Sequence, residues 1–144
     1  MSNAEPLLLD THAWIWMVEA RADRVSNAAK EELDSASSSG RLLISVMSIW
    51  EIAMLVSRGR LAIPLDVPEW TARALAAPGV QLVDLEPAIA IDSTRLPGSP
   101  PRDPVDRILI ATARRIGARL VTADRRILDY ARRSRAFRVL KANR

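Results

Sequence analysis

Short apolar runs alternate along this chain with longer stretches of helical periodicity. Leu7–Leu9, Leu42–Ser45, Val80–Val83 and Arg119–Thr122 read as buried strands, and Phe137–Leu140 as a weaker fifth. Helical patterns fall between them, at about 11–20, 26–38, 46–58, 67–77, 86–96, 104–117 and 125–133. Strands separated by helices need long crossover connections, which predicts an α/β fold with a parallel sheet covered on both faces. Ser35–Ser39 followed by Gly40 reads as a helix end and a turn, because Gly readily takes the left-handed conformation. The segment Pro97-Gly98-Ser99-Pro100-Pro101 is a second clear loop. With no repeat, linker or low-complexity tract, the 144 residues predict a single domain over 1–144.

Composition narrows the chemistry. Hydrophobic residues make up 49% of the chain, enough for a packed core. There is no cysteine, which removes disulfides, thiolate catalysis and thiolate zinc sites. No apolar run approaches the roughly 18 residues needed to cross a bilayer. The opening Met-Ser-Asn-Ala-Glu-Pro has no basic region, and Leu7–Leu9 is too short for a signal segment. A cytoplasmic protein without a membrane partner is expected.

The net charge of +4 conceals a division. From Arg102 onward, twelve Arg and one Lys face four acids, a net of +9. Residues 1–101 hold seven Arg and one Lys against thirteen acids, a net of −5. An arginine-rich C-terminal third suits phosphate recognition, because the guanidinium fork binds phosphate in a bidentate way. A solvated helix face explains any single Arg pair as well.

In open parallel α/β sheets ligands bind beyond the carboxyl ends of the strands, and four acids are expected there. Asp10 follows the first strand, Asp124 follows Thr122 with one residue between, Glu51 lies early in the helix after Ser45, and Asp106 lies in the first turn of the helix opened by Asp103-Pro104. Each has a structural alternative. Asp10, Asp103 and Asp124 are plausible N-caps, with Pro104 at the first helical position and Asp106 at the third. Ser48-Ile49-Trp50-Glu51 matches a capping box. Glu51, however, is the only charge between Ile44 and Val56, in a helix apolar enough to predict burial on more than one face. An unpaired carboxylate there is costly, and several carboxylates at one edge repel unless a cation sits among them. All-oxygen ligands suit Mg²⁺ or Mn²⁺. His12 is the only histidine and reads first as structural; no Walker, GxGxxG or nucleophile-elbow motif is present.

Four blocks occur in order: Leu-Leu-Leu-Asp10-Thr-His-Ala-Trp, Ile-Ser-Val-Met-Ser48-Ile-Trp-Glu51-Ile-Ala, Arg-Asp103-Pro-Val-Asp106-Arg-Ile-Leu-Ile-Ala and Leu-Val-Thr122-Ala-Asp124. Together they resemble the PIN-domain toxin family, the VapC-like ribonucleases, from about residue 7 to 140. The resemblance implies a three-layer α/β/α sandwich on a parallel five-stranded sheet and Mg²⁺- or Mn²⁺-dependent cleavage of RNA. It maps the acidic set onto Asp10, Glu51, Asp106 and Asp124, with Thr122 and Asp103 in support, and it implies a homodimer held inactive by a small antitoxin protein. Many relatives carry His before the Arg-Asp-Pro segment, where this chain has Pro101. From position alone, Arg107, Arg125 and Arg126 border the edge as candidate RNA contacts. Trp14 and Trp16 lie about 200° apart on a helix, so burying one tends to expose the other at a partner surface. Two rivals remain at this point. A phosphatase or receiver-type phosphoryl-transfer domain would want a lysine near the site, and only Lys30 and Lys141 exist. A non-catalytic RNA- or protein-binding module would leave the acids as caps.

Overall fold

Leu7 and Leu9 face one side of a parallel sheet and Leu8 the other, and all three are at most 1% exposed. They form β1 (Leu7–Leu9) in a computed structural model that describes residues 4–144; the first three residues of the expected domain lie outside the described residues. β1 is flanked by β2 (Leu42–Ser45) and β4 (Arg119–Thr122); β3 (Val80–Val83) and β5 (Arg138–Lys141) form the edges, giving the order β3-β2-β1-β4-β5. Every pairing is parallel, with Leu8 opposite Leu43 on one side and Leu120 on the other. Full burial of each central leucine contributes about 1.5–3 kcal/mol, so the middle of the sheet has strong reason to stay dry.

The helices are α1 (Thr11–Val18), α2 (Asn27–Ser38), α3 (Val46–Ser57), α4 (Val67–Leu75), α5 (Pro87–Asp92), α6 (Pro104–Ile116) and α7 (Arg125–Ser134). Trp14, Leu33, Ile52 and Trp70 pack with Leu7 and Leu9 on one face. Ile89, Leu109, Ile110, Ile127 and Tyr130 pack with Leu8 on the other. The result is a three-layer α/β/α sandwich with α1–α4 on one face and α5–α7 on the other. No described helix is long and apolar enough to cross a membrane.

Several local expectations need correction. α5 stops at Asp92 rather than running to about 96. Ser93 and Thr94 hydroxyls donate to the carbonyls of Ala90 and Ile91 and close the helix there. Ser48 is no capping-box residue, because Ser45 caps α3 by accepting from the Met47 amide. α3 is not buried on several faces either. Only Ser48 and Ile52 are fully buried, and Trp50 is 53% exposed. This helix lies against α1, α4 and α6, and these contacts leave Trp50 uncovered. Of the two α1 tryptophans, Trp14 packs in a T-shaped arrangement with Trp70 in the core, the ring centroids 5.1 Å apart. Trp16 is half-buried against the same core, so the exposed aromatic surface belongs to Trp50.

Candidate metal centre

Strand order reverses between β1 and β4, and the crevice at such a switch point opens beyond the strand ends. Asp10 leaves β1 there, 8% exposed. Its Oδ1 accepts from the Ala13 amide at 2.8 Å and caps α1. Its Oδ2 accepts from the Thr122 hydroxyl at 2.5 Å. The Thr122 oxygen also accepts from the Asp124 amide at 3.0 Å, so one buried hydroxyl links both sides of the crevice. Asp124 caps α7, with Oδ1 accepting from the amides of Arg126 and Ile127 at 2.8 and 3.2 Å. Asp103 caps α6 through Oδ1, accepting from Val105 and Asp106 at 2.8 and 3.3 Å. Pro104 opens that helix, and its missing amide proton has no partner to lose.

These caps do not preclude ligation. Each uses one carboxylate oxygen, and the second oxygens of Asp103 and Asp124 make no hydrogen bond among the described residues. Asp106 and Glu51 make no side-chain hydrogen bond at all there. Asp10, Glu51, Asp103, Asp106 and Asp124 line one cavity of about 350 Å³, together with Thr11, His12, Trp16, Leu109 and Ala123. Among the described residues no ion pair involves any of these five acids.

The electrostatic result is strong. Burial, followed by the neighbouring charges of Asp103, Asp124, Glu51 and Asp10, raises the Asp106 carboxyl from 3.8 to about 7. Burial also raises Asp10 to about 6, against the lowering effect of the Thr122 and Ala13 bonds. A hard cation relieves this repulsion, and the donors are all carboxylates, so the residues fit Mg²⁺ or Mn²⁺. No group of three or more His, Asp or Glu among the described residues closes into a ready ligand cluster. Mg²⁺ does not require one, because it commonly keeps several waters and takes only one or two carboxylates directly.

None of the expected arginines lines the cavity, although Arg107 and Arg125 directly follow the lining acids Asp106 and Asp124 in the chain. Arg107 Nε donates to the Pro101 carbonyl at 2.5 Å, which ties it to the 97–101 loop. Arg125 and Arg126 are exposed in the first turn of α7. Pro101, where the family pattern often has His, is buried. Sequence reasoning missed a second bond below the cavity, from the Thr11 hydroxyl to Ser48 Oγ at 3.2 Å, which joins α1 to α3. Its only signal was the polar pair in apolar surroundings.

Fold and acidic cleft together define a PIN-type architecture, and the PIN domain family model matches residues 7–133. The chain belongs to that family. It is 36% identical over 124 residues to Ribonuclease VapC22 of Mycobacterium tuberculosis, covering 86% of this chain and 91% of that protein. Among solved structures, it is similar to a chain of VapBC2 from Rickettsia felis bound to a promoter DNA fragment. The TM-score is 0.68 at 13% identity, over 95% of this chain and 98% of that one. A chain of DNA-bound VapBC from Salmonella typhimurium gives 0.64 at 19% identity, with the same coverage of 95% and 98%. At those identities the likeness is one of fold.

Proposed function

We propose that this chain is a Mg²⁺- or Mn²⁺-dependent ribonuclease, the toxin of a toxin–antitoxin pair, acting in the cytoplasm as a single domain over residues 1–144. The observation that carries the site is Asp106, which lines the cleft with four other acids, forms no ion pair among the described residues, and has its carboxyl pushed to about 7 by burial and those carboxylates. Similarity to a VapC ribonuclease supports RNA as the substrate. Similarity in fold to chains of VapBC assemblies supports a small antitoxin partner.

In this reading Asp10 and Asp106 would hold the ion directly, and Asp124 and Glu51 would act through water or at a second ion. When bound, such an ion lowers the pKa of its water and offsets charge developing on the phosphate oxygens. Thr122 keeps Asp10 turned towards the cleft through its hydroxyl. Asp103 orients the first turn of α6, and so Asp106, while its free oxygen faces no competing donor. Arg125 and Arg126 meet the RNA backbone at the rim, and Arg107 supports the loop beside it. The protein self-associates through the exposed Trp50 surface of α3.

The test incubates purified protein with mixed-sequence single-stranded RNA in Mg²⁺, Mn²⁺ or EDTA. Cleavage with either ion and none in EDTA is expected. Intact RNA under all three conditions, from protein that is folded by circular dichroism, would overturn the reading.

A further inference from the structure

The cleft has a physical problem as an RNA site, because it is lined by five acids and by no Arg or Lys. A polyanion must therefore gain its attraction outside the cleft. α7 starts at the cleft, where Asp124 caps it, and runs to the opposite end of the sheet, where β5 begins. Its ten residues cover about 15 Å. Arg125, Arg126, Arg132 and Arg133 are all exposed, at spacings that share one helix face, with Asp129 the only acid among them. That acid is already paired with Arg132.

The track ends at a second feature. α6 also finishes at the far end, and an open depression there is lined by Arg114, Arg135 and Arg138 around Gly117, Ala118 and Phe137. Arg138 is paired with Glu5. The side chains of Arg114 and Arg135 have no ion pair or hydrogen bond among the described residues. Arg114 also walls a neighbouring depression that holds Arg95 and the Arg115–Asp92 pair, so the basic surface is continuous.

Arg135 has an unusual backbone. It ends α7 in the left-handed region at φ 54°, a conformation that favours Gly. α6 ends in the same conformation and uses Gly117 there.

We propose that single-stranded RNA leaves the acidic cleft along the exposed arginine face of α7 and is held at the far end of the sheet by Arg114 and Arg135. This rests on the ribonuclease reading for its substrate class. A stacked strand rising 3.4 Å per nucleotide needs about five nucleotides to follow the length of α7. Oligonucleotides shorter than that engage the cleft and its rim but cannot reach Arg114 or Arg135.

The test compares wild type, Arg114→Ala, Arg135→Gly and the double variant by fluorescence anisotropy in EDTA, with RNAs of about 30 and about four nucleotides across a salt series. The double variant is expected to bind the long RNA at least about tenfold more weakly at low salt. The magnitude of its log K against log salt slope should fall by about 1.4, two contacts at about 0.7 each. Binding of the short RNA should change less than twofold. Arg135→Gly should melt at or above the wild-type temperature, because Gly relieves the left-handed strain, whereas a structural Arg135 would melt lower. An unchanged salt slope for the long RNA overturns the proposal. So does weakened binding of poly-glutamate with RNA binding intact, which would assign the surface to an acidic protein. If Arg135→Gly proves unstable, Arg114→Ala, at an exposed helix position, is read alone with an expected slope change of about 0.7. Wild-type cleavage in Mg²⁺ or Mn²⁺ is scored in parallel, so failure of the ribonuclease reading is seen separately from failure of the track.

Discussion

The hydroxyl of Thr122 donates to Asp10 Oδ2 at 2.5 Å, joining two buried residues 112 positions apart in the chain. It accepts from the Asp124 amide as well, so a single oxygen sets both walls of the cleft. Thr122→Val keeps the shape and removes the hydroxyl. The variant should fold with a loss of about 1–3 kcal/mol, from the unpaired Asp10 oxygen and Asp124 amide. Because the lost bond holds the Asp10 pKa down, the acidic limb of the pH–activity profile should move to higher pH. Denaturant melts and a pH profile of RNA cleavage measure both effects, and an unmoved acidic limb would count against Asp10 as an acting group.

Asp10→Asn and Asp106→Asn separate ligand from cap. Asn caps a helix about as well as Asp, so Asp10→Asn retains the bond to the Ala13 amide. Asp106 makes no side-chain hydrogen bond among the described residues that Asn would break. Both variants should give native circular dichroism and lose at least about a hundredfold in cleavage, since an anionic oxygen is gone from the ion's surroundings. Wild-type rates from either would remove that residue from the site.

Stability of the metal-free protein should depend on pH in an unusual direction. The folded-state values of about 6 for Asp10 and about 7 for Asp106 lie above the ordinary 3.8. The folded state thus holds these protons more tightly than the unfolded state does. The associated stability is complete below about pH 4 and is lost as pH rises through 6 to 7. In EDTA, Asp106→Asn should flatten this decline and melt above wild type at about pH 8. Mn²⁺ competes with the same protons, so it should raise the melting temperature more at about pH 8 than at about pH 5.5. An ion effect that is equal at both pH values would argue against carboxylate ligation.

Glu51→Gln tests the fourth acid. Glu51 lies in the second turn of α3, beyond the Ser45 cap, and contributes to the rise of the Asp106 pKa. Removing its charge should cut turnover by about tenfold or more if it acts on the ion or its water, while stability in EDTA stays level or rises. Normal turnover would leave Glu51 as a bystander in the cleft wall.

Trp50→Ala should weaken self-association. The ring is 53% exposed on a helix that is otherwise nearly all apolar, and interface tryptophans often contribute about 2 kcal/mol or more. Sedimentation equilibrium should show a dissociation constant raised about thirtyfold, with Mn²⁺ binding unaltered. A monomeric wild-type protein at high concentration would dispose of the idea.

Much of this was legible in the chain. The five strands fall within one residue of their expected positions, and the three central ones are short apolar runs buried on both faces of the sheet. The caps at Asp10, Asp103 and Asp124 were readable too, since a short acid before a helical pattern satisfies amides that are local to it. Asp103-Pro104 marks the start of α6 for the same local reason.

Other features depend on which elements meet. Apolar count suggested a deeply buried α3, yet Trp50 is exposed because burial depends on neighbours, and none of the helices packed on α3 covers that side. The bond from Thr122 to Asp10 cannot be read from sequence, since it needs β1 and β4 paired in register. The raised Asp106 pKa likewise needs burial and the carboxylates of Asp124, Glu51 and Asp10, brought from three other segments. The C-terminal arginines looked like one basic region along the chain. Helix direction divides them between the cleft rim at the start of α7 and the far edge where α6 and α7 end. Helix ends, strands and the identity of the acids are short-range properties of this sequence, set by neighbours a few residues away. Charge convergence, exposure and the path between the two edges are long-range properties, which exist only once the crossovers have brought distant segments together.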